Sequence, residues 1–370
     1  MTDRLVTGAS PPRRRGATAI VAIVAALAVF AVGRGVATRG AANDPGAVRN
    51  AGTGSVAAAF SWPEGTPLFT EVFSITDADS DGAAWYVLDA RGHQIHRIGP
   101  NGLTATFGGW GAGPGELKQP SALTVHHDTV VVLEGATDRK LYSLTGKYLA
   151  DRSVESFWIC TPMVLVDMVS TPRGLLLLAV CPMGAYQQAH VILERHDGYL
   201  SHLTMIQAGS QGGREMDATF YPVLATHPSG FVFGSAGDNC LQLYDLRGGR
   251  AGDDICHEWM DARQPPADWE RTQLRIARRM RRAGIRIDWG ELPKFEAVDG
   301  TKSGTLLYRT GAPGTDEGLR VLTRTEVGEQ FELATPHGRH LFMADRRFMV
   351  AWDDMQGARI LTGTVELPDG

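Results

Sequence analysis

The sequence predicts an all-β fold, a six-bladed β-propeller. The prediction depends on two observations: a strand–turn–strand unit recurs six times, and its copies are spaced as the blades of a propeller are. A unit of apolar strand, short Gly/Asp/Asn turn and second strand recurs along the chain, with copies that begin near Ala83, Thr129, Gly174, Gly230, Gly304 and Arg347. The first copy reads AAWYVLDARGHQIHRIGPNG. Repeats of roughly 40 to 50 residues made of short strands are typical of propellers, in which each repeat is one blade.

A further strand-like stretch precedes each unit, and we expect it to be the innermost strand of that blade, next to a central channel. These stretches begin near Glu71, Ser121, Met163, Pro222, Lys294 and His340. The segment SVAAAFSW, from Ser55, precedes the first of them and has no blade of its own. We expect it to pair with the strand from Ala358 in the last blade, because an open ring would expose unpaired strand edges.

Composition fits one large turn-rich domain, which we place at residues 55–368. The chain has 370 residues, of which 44 are Gly and 43% are hydrophobic, and this excludes bulk disorder. Its net charge of −5 gives no global reason to expect nucleic acid as a partner.

An apolar run without charges follows the basic residues 1–15. Residues 16–33 are long enough to cross a bilayer as a helix, and Arg13, Arg14 and Arg15 favour a cytoplasmic N-terminus. A cleaved signal peptide is the alternative. Residues 34–54, rich in Ala and Gly, are expected to be a flexible tether. The propeller is thus predicted to be membrane-anchored on the extracytoplasmic side, periplasmic or extracellular, or secreted if the segment is cleaved.

The four cysteines are consistent with export. Cys240 and Cys256 are equidistant from a turn at Gly248, and Cys160 and Cys181 flank another hairpin. Two local disulfides are the simplest pairing in an oxidising compartment, and buried free thiols are the alternative.

The segment FGGWGAGPGELKQPSALTV, from Phe107, joins the first two predicted blades and contains Gly113-Pro114-Gly115 followed by Pro120. With the repeated hairpins, this segment resembles the NHL-repeat class of six-bladed β-propellers, whose blades often open with such a glycine-rich motif. The resemblance covers residues 55–368, although the other junctions depart from the motif.

An insert interrupts the repeat spacing between the fourth and fifth blades. Pro265, Pro266 and Asp268 predict the start of a helix and Gly284 its end, so a helix is expected at about 265–285. Its arginines suit carboxylates or phosphates of an acidic partner, and a solvated face is the alternative. They are Arg271, Arg275, Arg278, Arg279, Arg281, Arg282 and Arg286.

Asp77, Asp79 and Asp81 match the opening of a calcium loop, but Trp85 and Leu88 stand where later ligands are needed. A polar turn is the alternative, and no cofactor is predicted beyond this weak calcium candidate. His126, His127 and His227 suggest a metal at the channel. However, neighbours on one strand point to opposite faces, so His126 and His127 are not expected both to face the channel.

The turns between the second and third strands of the blades would form a channel-mouth face. The candidate binding residues there, which are also favoured in turns for backbone reasons, are Asp89, Arg91, Glu134, Asp138, Arg139, Asp238 and Asp353. The leading hypothesis is a binding or scaffold module for a protein or polyanionic ligand, with no catalytic residue assigned. The alternative is a metal-dependent propeller enzyme, such as a lyase, lactonase or hydrolase.

Overall fold

The computed structural model describes most of the chain beyond residue 67. The described residues are 68–70, 75–154, 157, 159–161, 163–181, 187–208, 215–217, 220–238, 240–256, 286–288, 297–300, 304, 306–310, 320–324, 330–334, 340–344, 347–354 and 357–364. Within these ranges the regular structure is β-strand without helix. The predicted membrane segment 16–33, the tether 34–54 and the arginine helix lie outside them.

The first three blades along the chain are consecutive four-stranded antiparallel sheets. Blade 1 comprises β2 (Ile75–Ser80), β3 (Trp85–Asp89), β4 (Gln94–Gly99) and β5 (Gly102–Gly108). Blade 2 comprises β6 (Pro120–His126), β7 (Thr129–Glu134), β8 (Asp138–Ser143) and β9 (Tyr148–Ser153). Blade 3 comprises β10 (Val164–Thr171), β11 (Gly174–Cys181), β12 (Gln187–Arg195) and β13 (Leu200–Ala208).

Two further sheets of the described chain are consecutive in the same way, and the last sheet takes its fourth strand from the beginning of the described chain. Blade 4 comprises β15 (Pro222–His227), β16 (Gly230–Ser235), β17 (Cys240–Tyr244) and β18 (Ile255–Cys256). Blade 5 comprises β20 (Ala297–Gly300), β21 (Leu306–Thr310), β22 (Arg320–Arg324) and β23 (Gln330–Ala334). The last sheet comprises β24 (His340–Ala344), β25 (Arg347–Asp354), β26 (Gly357–Thr364) and β1 (Leu68–Thr70).

The innermost strands contact one another in a closed cycle, in which β2 lies between β6 and β24, and β15 lies between β10 and β20. The predicted all-β propeller fold is therefore confirmed. β1 pairs with β26 in antiparallel register, with Leu68 opposite Ile360. The first and last parts of the propeller thus share one sheet, as expected, but the closing strand is Leu68–Thr70. The stretch from Ser55 that was predicted to close the ring lies outside the described residues.

The apolar core lies between neighbouring blades. Trp85 and Val87 of blade 1 pack with Phe342 and Met349 of the last sheet, and all four side chains are buried. Comparable clusters lie between blades 1 and 2, 2 and 3, 3 and 4, and 4 and 5. The second strands β3 and β16 are buried along their whole length, and β7 and β11 over most of it, because both faces of each sheet contact a neighbour.

Both predicted disulfides are present, Cys160 with Cys181 and Cys240 with Cys256. Cys240 lies directly opposite Cys256 in the pairing of β17 with β18, as the symmetric hairpin spacing predicted. Each bridge is local in sequence and stays within or next to one blade.

A short parallel pair outside the four-stranded sheets corrects one detail of the predicted insert. β14 (Glu215–Asp217) pairs with β19 (Arg286–Asp288), so Arg286 begins a strand and does not extend the arginine helix. No helix in the described part of the chain is long and apolar enough to span a membrane.

Ring closure predicts a sharp difference between two N-terminal deletions. Removing residues 1–70 deletes β1 and exposes the edge of β26, so we expect aggregation and a melting temperature lower by at least a few °C. Removing residues 1–54 keeps β1 and should leave the melting temperature of the soluble domain unchanged. Equal melting curves for the two deletions would show that β1 does not support the ring.

Candidate functional site

Two sets of turns lie at opposite ends of each antiparallel sheet. The turns between second and third strands form the channel-mouth face defined from the sequence. The turns between first and second strands, and between third and fourth strands, lie at the other end, which we call the opposite face. It includes His126, His127, Pro172, His196 and Ser229.

On the channel-mouth face of blade 1, Asp89 is fully buried and accepts a hydrogen bond of 2.7 Å from the backbone N–H of Gly92. Its second carboxylate oxygen lies 4.0 Å from Nε2 of the buried His96. Arg91, in the same turn, is exposed. Asp89 therefore holds the turn together and does not face solvent.

In blade 2 the predicted binding residues also make contacts within the fold. Glu134 accepts hydrogen bonds from the backbone N–H groups of Lys118 and Gln119, at 2.9 and 2.7 Å. Arg139 is buried and forms an ion pair with Glu194 of blade 3. Glu194 also accepts a bond of 2.7 Å from Arg152 Nη1, so one carboxylate joins two arginines across the boundary between blades.

The remaining sequence-predicted sites are either exposed or beyond what the structure describes. Asp138 and Asp238 are exposed in their turns. Asp353 lies on β25, and its side chain is outside the described residues. The same holds for the basic helix arginines Arg271, Arg275, Arg278, Arg279 and Arg282, which stay a prediction.

The three aspartates of the possible calcium loop bind backbone groups instead of facing one point. Asp77 and Asp79 lie on β2, and each accepts a hydrogen bond from the neighbouring β6, from Leu123 N at 2.7 Å and Val125 N at 2.8 Å. Burial raises the pKa of Asp79. Asp81 accepts the N–H of Ala84 at 2.7 Å in the following turn. The bonds that Asp77 and Asp79 accept from β6 connect blade 1 with blade 2.

Three histidines converge on the opposite face, between blades 2 and 3. One ligand nitrogen from each of His126, His127 and His196 lies within 4.8 Å of the others. The rings of His126 and His196 are stacked, with centroids 5.3 Å apart. Among the described residues, these three histidines are the group of potential ligands whose ligand atoms lie close enough together to bind one metal ion.

The convergence shows that His126 and His127 do not point to opposite faces, as was expected of neighbours on one strand. β6 ends at His126, and His127 begins the two-residue turn to β7 with a left-handed φ of 53°. Alternation of side chains along a strand does not apply to a turn residue in this conformation. His127 and His196 are exposed, whereas His126 is half-buried.

His196 was missed because its partners belong to another blade. It lies in the turn between β12 and β13, the third-to-fourth-strand turn of blade 3. The propeller topology puts this turn at the same end as the first-to-second-strand turn of blade 2. A search for histidines in turns of that end would have found it. His227, the residue proposed from the sequence, instead accepts the N–H of Ser229 at 3.2 Å.

Hydrogen bonds from blade 3 orient two of the three rings. His126 Nδ1 lies 2.9 Å from Ser170 Oγ, and His196 Nε2 lies 3.3 Å from the carbonyl oxygen of Pro172. With Nδ1–H of His126 and Nε2–H of His196 donating, the other nitrogen of each ring keeps its lone pair for a ligand. Such contacts to a hydroxyl or carbonyl are usual for metal-binding histidines.

Electrostatics keep His126 neutral at physiological pH. Burial, together with His127, His196 and Arg152, lowers the pKa of its ring from 6.5 to about 4. A neutral imidazole is the form that binds a metal.

A second histidine pair lies on the outer strands of blade 3. His190 Nδ1 is 3.1 Å from His202 Nε2, and His190 is buried with Nε2 unpartnered. Burial, and secondarily His202, lowers the pKa of His190 from 6.5 to about 4, and burial also lowers the pKa of His202. Both rings are thus favoured in their neutral forms.

Comparison with solved structures finds β-propeller proteins of low identity. A gluconolactonase from Xanthomonas campestris matches with a TM-score of 0.46 and 12% identity, over 88% of this chain and 99% of that chain. A luciferin-regenerating enzyme matches with 0.45 and 10%, over 84% and 93%. Virginiamycin B lyase from Staphylococcus aureus matches with 0.41 and 12%, over 74% and 75%.

No protein-family model and no curated protein sequence matches this chain. The NHL resemblance of the glycine motif therefore stays a prediction. At the TM-scores above, the solved structures give no guide to activity, and the functional argument depends on the geometry of the opposite face.

The ion pair between blades 2 and 3 predicts a large loss of stability for Glu194→Gln. The neutral side chain leaves buried Arg139 without a counter-charge, which should cost about 3 kcal/mol in the free energy of unfolding. The control is Asp197→Asn, since Asp197 forms an exposed pair with Arg195 at 3.3 Å and should contribute less than about 1 kcal/mol. Urea unfolding curves of equal midpoint would contradict this assignment.

The lowered pKa values predict loss of stability at mildly acidic pH. The unfolded state takes up protons below about pH 6.5, whereas folded His190 resists protonation until about pH 4, so stability falls across that window. We expect a loss on the order of 1–2 kcal/mol in the free energy of unfolding. This is less than the full pKa shift implies, because the partner ring of His202 is exposed and solvent weakens electrostatic effects on the pair. Melting curves from pH 7.5 to 4.5 check this. His190→Gln should flatten the dependence in part, because the pKa of His126 is also lowered to about 4 and contributes over the same window. An unchanged slope in that variant would assign the effect to other groups.

Proposed function

We propose that this protein is an extracytoplasmic, metal-dependent β-propeller enzyme that hydrolyses an ester or lactone at its opposite face. Its metal ligands are His126, His127 and His196, and the metal is a divalent ion of the Zn²⁺ type. One observation carries the proposal: ligand nitrogens from three histidines of two blades lie within 4.8 Å of one another.

The donor set fits this metal class. Imidazole nitrogens suit Zn²⁺ and related ions, whereas the oxygen ligands that Ca²⁺ and Mg²⁺ prefer are absent from the three side chains. Three protein ligands with an open, solvent-facing side are typical of catalytic zinc sites, because a fourth position is left for water or substrate. When bound, such an ion polarises an ester carbonyl and activates water as a nucleophile.

The surrounding residues supply orientation and charge. Ser170 and Pro172, both of blade 3, hold the rings of His126 and His196. Arg152 is close enough to His126 to lower the pKa of that ring, and Glu194 holds its guanidinium. Arg139, Arg152 and Glu194 together carry one net positive charge, and the field of Arg152 reaches His126. This charge would help to stabilise the negative charge that develops on a carbonyl oxygen during hydrolysis.

The proposal includes the finer architecture and the location. The closed cycle of innermost strands in the described sheets supports a ring of six blades, NHL-like in the glycine motif of Gly113-Pro114-Gly115. The two disulfides support an oxidising, extracytoplasmic compartment. Residues 16–33 would anchor the protein to the membrane, and residues 34–54 would link that anchor to the propeller.

Metal content tests the ligand set directly. After dialysis against Zn²⁺, the protein should retain one equivalent by elemental analysis. His126→Ala, His127→Ala and His196→Ala should each weaken Zn²⁺ binding in calorimetry by at least tenfold, since loss of even an outer contact to a ligand costs about 10–100-fold. Hydrolysis of a panel of aryl esters and lactones should fall in parallel.

The matched control is His227→Ala, a histidine of the same face that lies outside the group. This variant should keep the metal and the hydrolytic activity. A wild-type protein that holds no Zn²⁺, Mn²⁺, Co²⁺ or Ni²⁺, or a His227→Ala variant that alone loses the metal, would overturn the proposal.

A further inference from the structure

A shallow, open depression of about 510 Å³ lies on the opposite face between blades 3 and 4. Its walls come from the first-to-second-strand turns of both blades and from the third-to-fourth-strand turn of blade 4. The lining residues are Arg173, Pro228, Ser229, Gly230, Asp245, Leu246 and Arg247. We call this depression the Arg173 pocket.

The Arg173 pocket occupies the same place in its pair of blades as the three histidines occupy in theirs. The histidines lie on the first turn of blade 2 and the last turn of blade 3, against Pro172 in the first turn of blade 3. The pocket lies one blade further on, with Pro228 and Arg247 in blade 4 and Arg173 in blade 3. Pro172 and Arg173 are consecutive in the two-residue turn between β10 and β11, so one turn contacts both sites.

Positive charge dominates the pocket. Arg173 Nη1 donates a hydrogen bond of 2.8 Å to the carbonyl oxygen of Leu246, which directs the guanidinium along the pocket wall. Arg247 is exposed. The pocket lining thus contains two guanidiniums and one carboxylate, that of Asp245.

Asp245 is engaged by its own turn. Its Oδ1 accepts the backbone N–H of Arg247 at 2.7 Å and of Gly249 at 2.9 Å, and these bonds lower the pKa of the carboxyl group. The carboxylate thus fixes the turn that carries Arg247 and leaves the pocket with a net positive charge. Arginines present paired donors that match the oxygens of carboxylates and phosphates.

We propose that the Arg173 pocket binds an anionic group, a carboxylate or a phosphate, on the substrate whose ester is hydrolysed at the three histidines. The substrate class is thus an ester or lactone that bears a negative charge away from the scissile bond. This inference rests on the proposed function for its catalytic half. The anion site itself depends only on the pocket, so measurements of anion binding to metal-free protein test it independently.

Anion binding to metal-free protein separates the two proposals. Inorganic phosphate and succinate are titrated into the full chain after chelation of metal, with calorimetry or NMR as the readout. Arg173→Gln and Arg247→Gln should each raise the dissociation constant at least about tenfold, the equivalent of about 1.4 kcal/mol. Lys118→Gln, which removes an exposed cation outside the pocket, is the control and should bind as wild type does.

The variants at the histidines complete the test. Phosphate or succinate binding that survives His127→Ala but is lost in Arg247→Gln supports the pocket even if no metal is found. Binding that requires metal and His127, with no effect of either arginine, would overturn the pocket and leave the metal site standing. Absence of binding by both anions would also overturn the pocket. If both bind, the anion with the lower dissociation constant identifies carboxylate or phosphate as the preferred group.

Substrates then test the link between the sites. For a matched pair of aryl esters, one with a terminal carboxylate and one with a terminal amide, wild type should prefer the charged ester in kcat/KM by at least tenfold. Arg247→Gln should remove that preference through KM and leave the neutral ester unaffected. An equal loss for both esters would show that Arg247 acts on the fold or on the metal site and does not recognise the anion.

Discussion

Contact between neighbouring innermost strands is the interaction on which the rest of this structure depends. Each blade is a small sheet that cannot bury both of its faces alone, and its apolar side chains are covered only by the next blade. Asp77 and Asp79 strengthen one such boundary, because they accept backbone N–H groups that β6 cannot pair within its own sheet. The cycle has no free end, since β1 and β26 combine the two ends of the described chain in one sheet.

This arrangement explains why charged residues of the channel-mouth face are used within the fold. Asp89, Glu134 and Arg139 lie where turns and neighbouring blades meet, and their partners are backbone N–H groups or an opposite charge. A buried ion pair such as Arg139 with Glu194 gains little over an apolar contact, but its separation would be costly. Arg139 thus sets the relative position of blades 2 and 3, whereas Asp89 holds its own turn and Glu134 holds the segment before β6.

The opposite face differs because exposed polar side chains from several of its turns lie close together. Repetition of the blade puts equivalent turns at regular intervals around the ring. Substitution in those turns then creates different chemistry at each interval: histidines between blades 2 and 3, arginines between blades 3 and 4. Both groups share the turn at Pro172 and Arg173, so a bound molecule that spans them contacts one continuous surface of blade 3.

The sequence by itself determined the strand–turn–strand repeat, the all-β propeller and both disulfide pairs, because hydrophobic alternation, turn residues and hairpin spacing are local properties. The closing strand was expected in the correct sheet, but the sequence did not show that Leu68–Thr70 performs the pairing. The meeting of His196 with His126 and His127 was decided only by the tertiary structure. Those residues are about seventy positions apart, and their proximity results from the packing of blade 2 against blade 3 and from the left-handed backbone of His127. Neither cause produces a periodic pattern in the sequence, whereas the burial of strands produces a pattern of hydrophobic residues that can be recognised there.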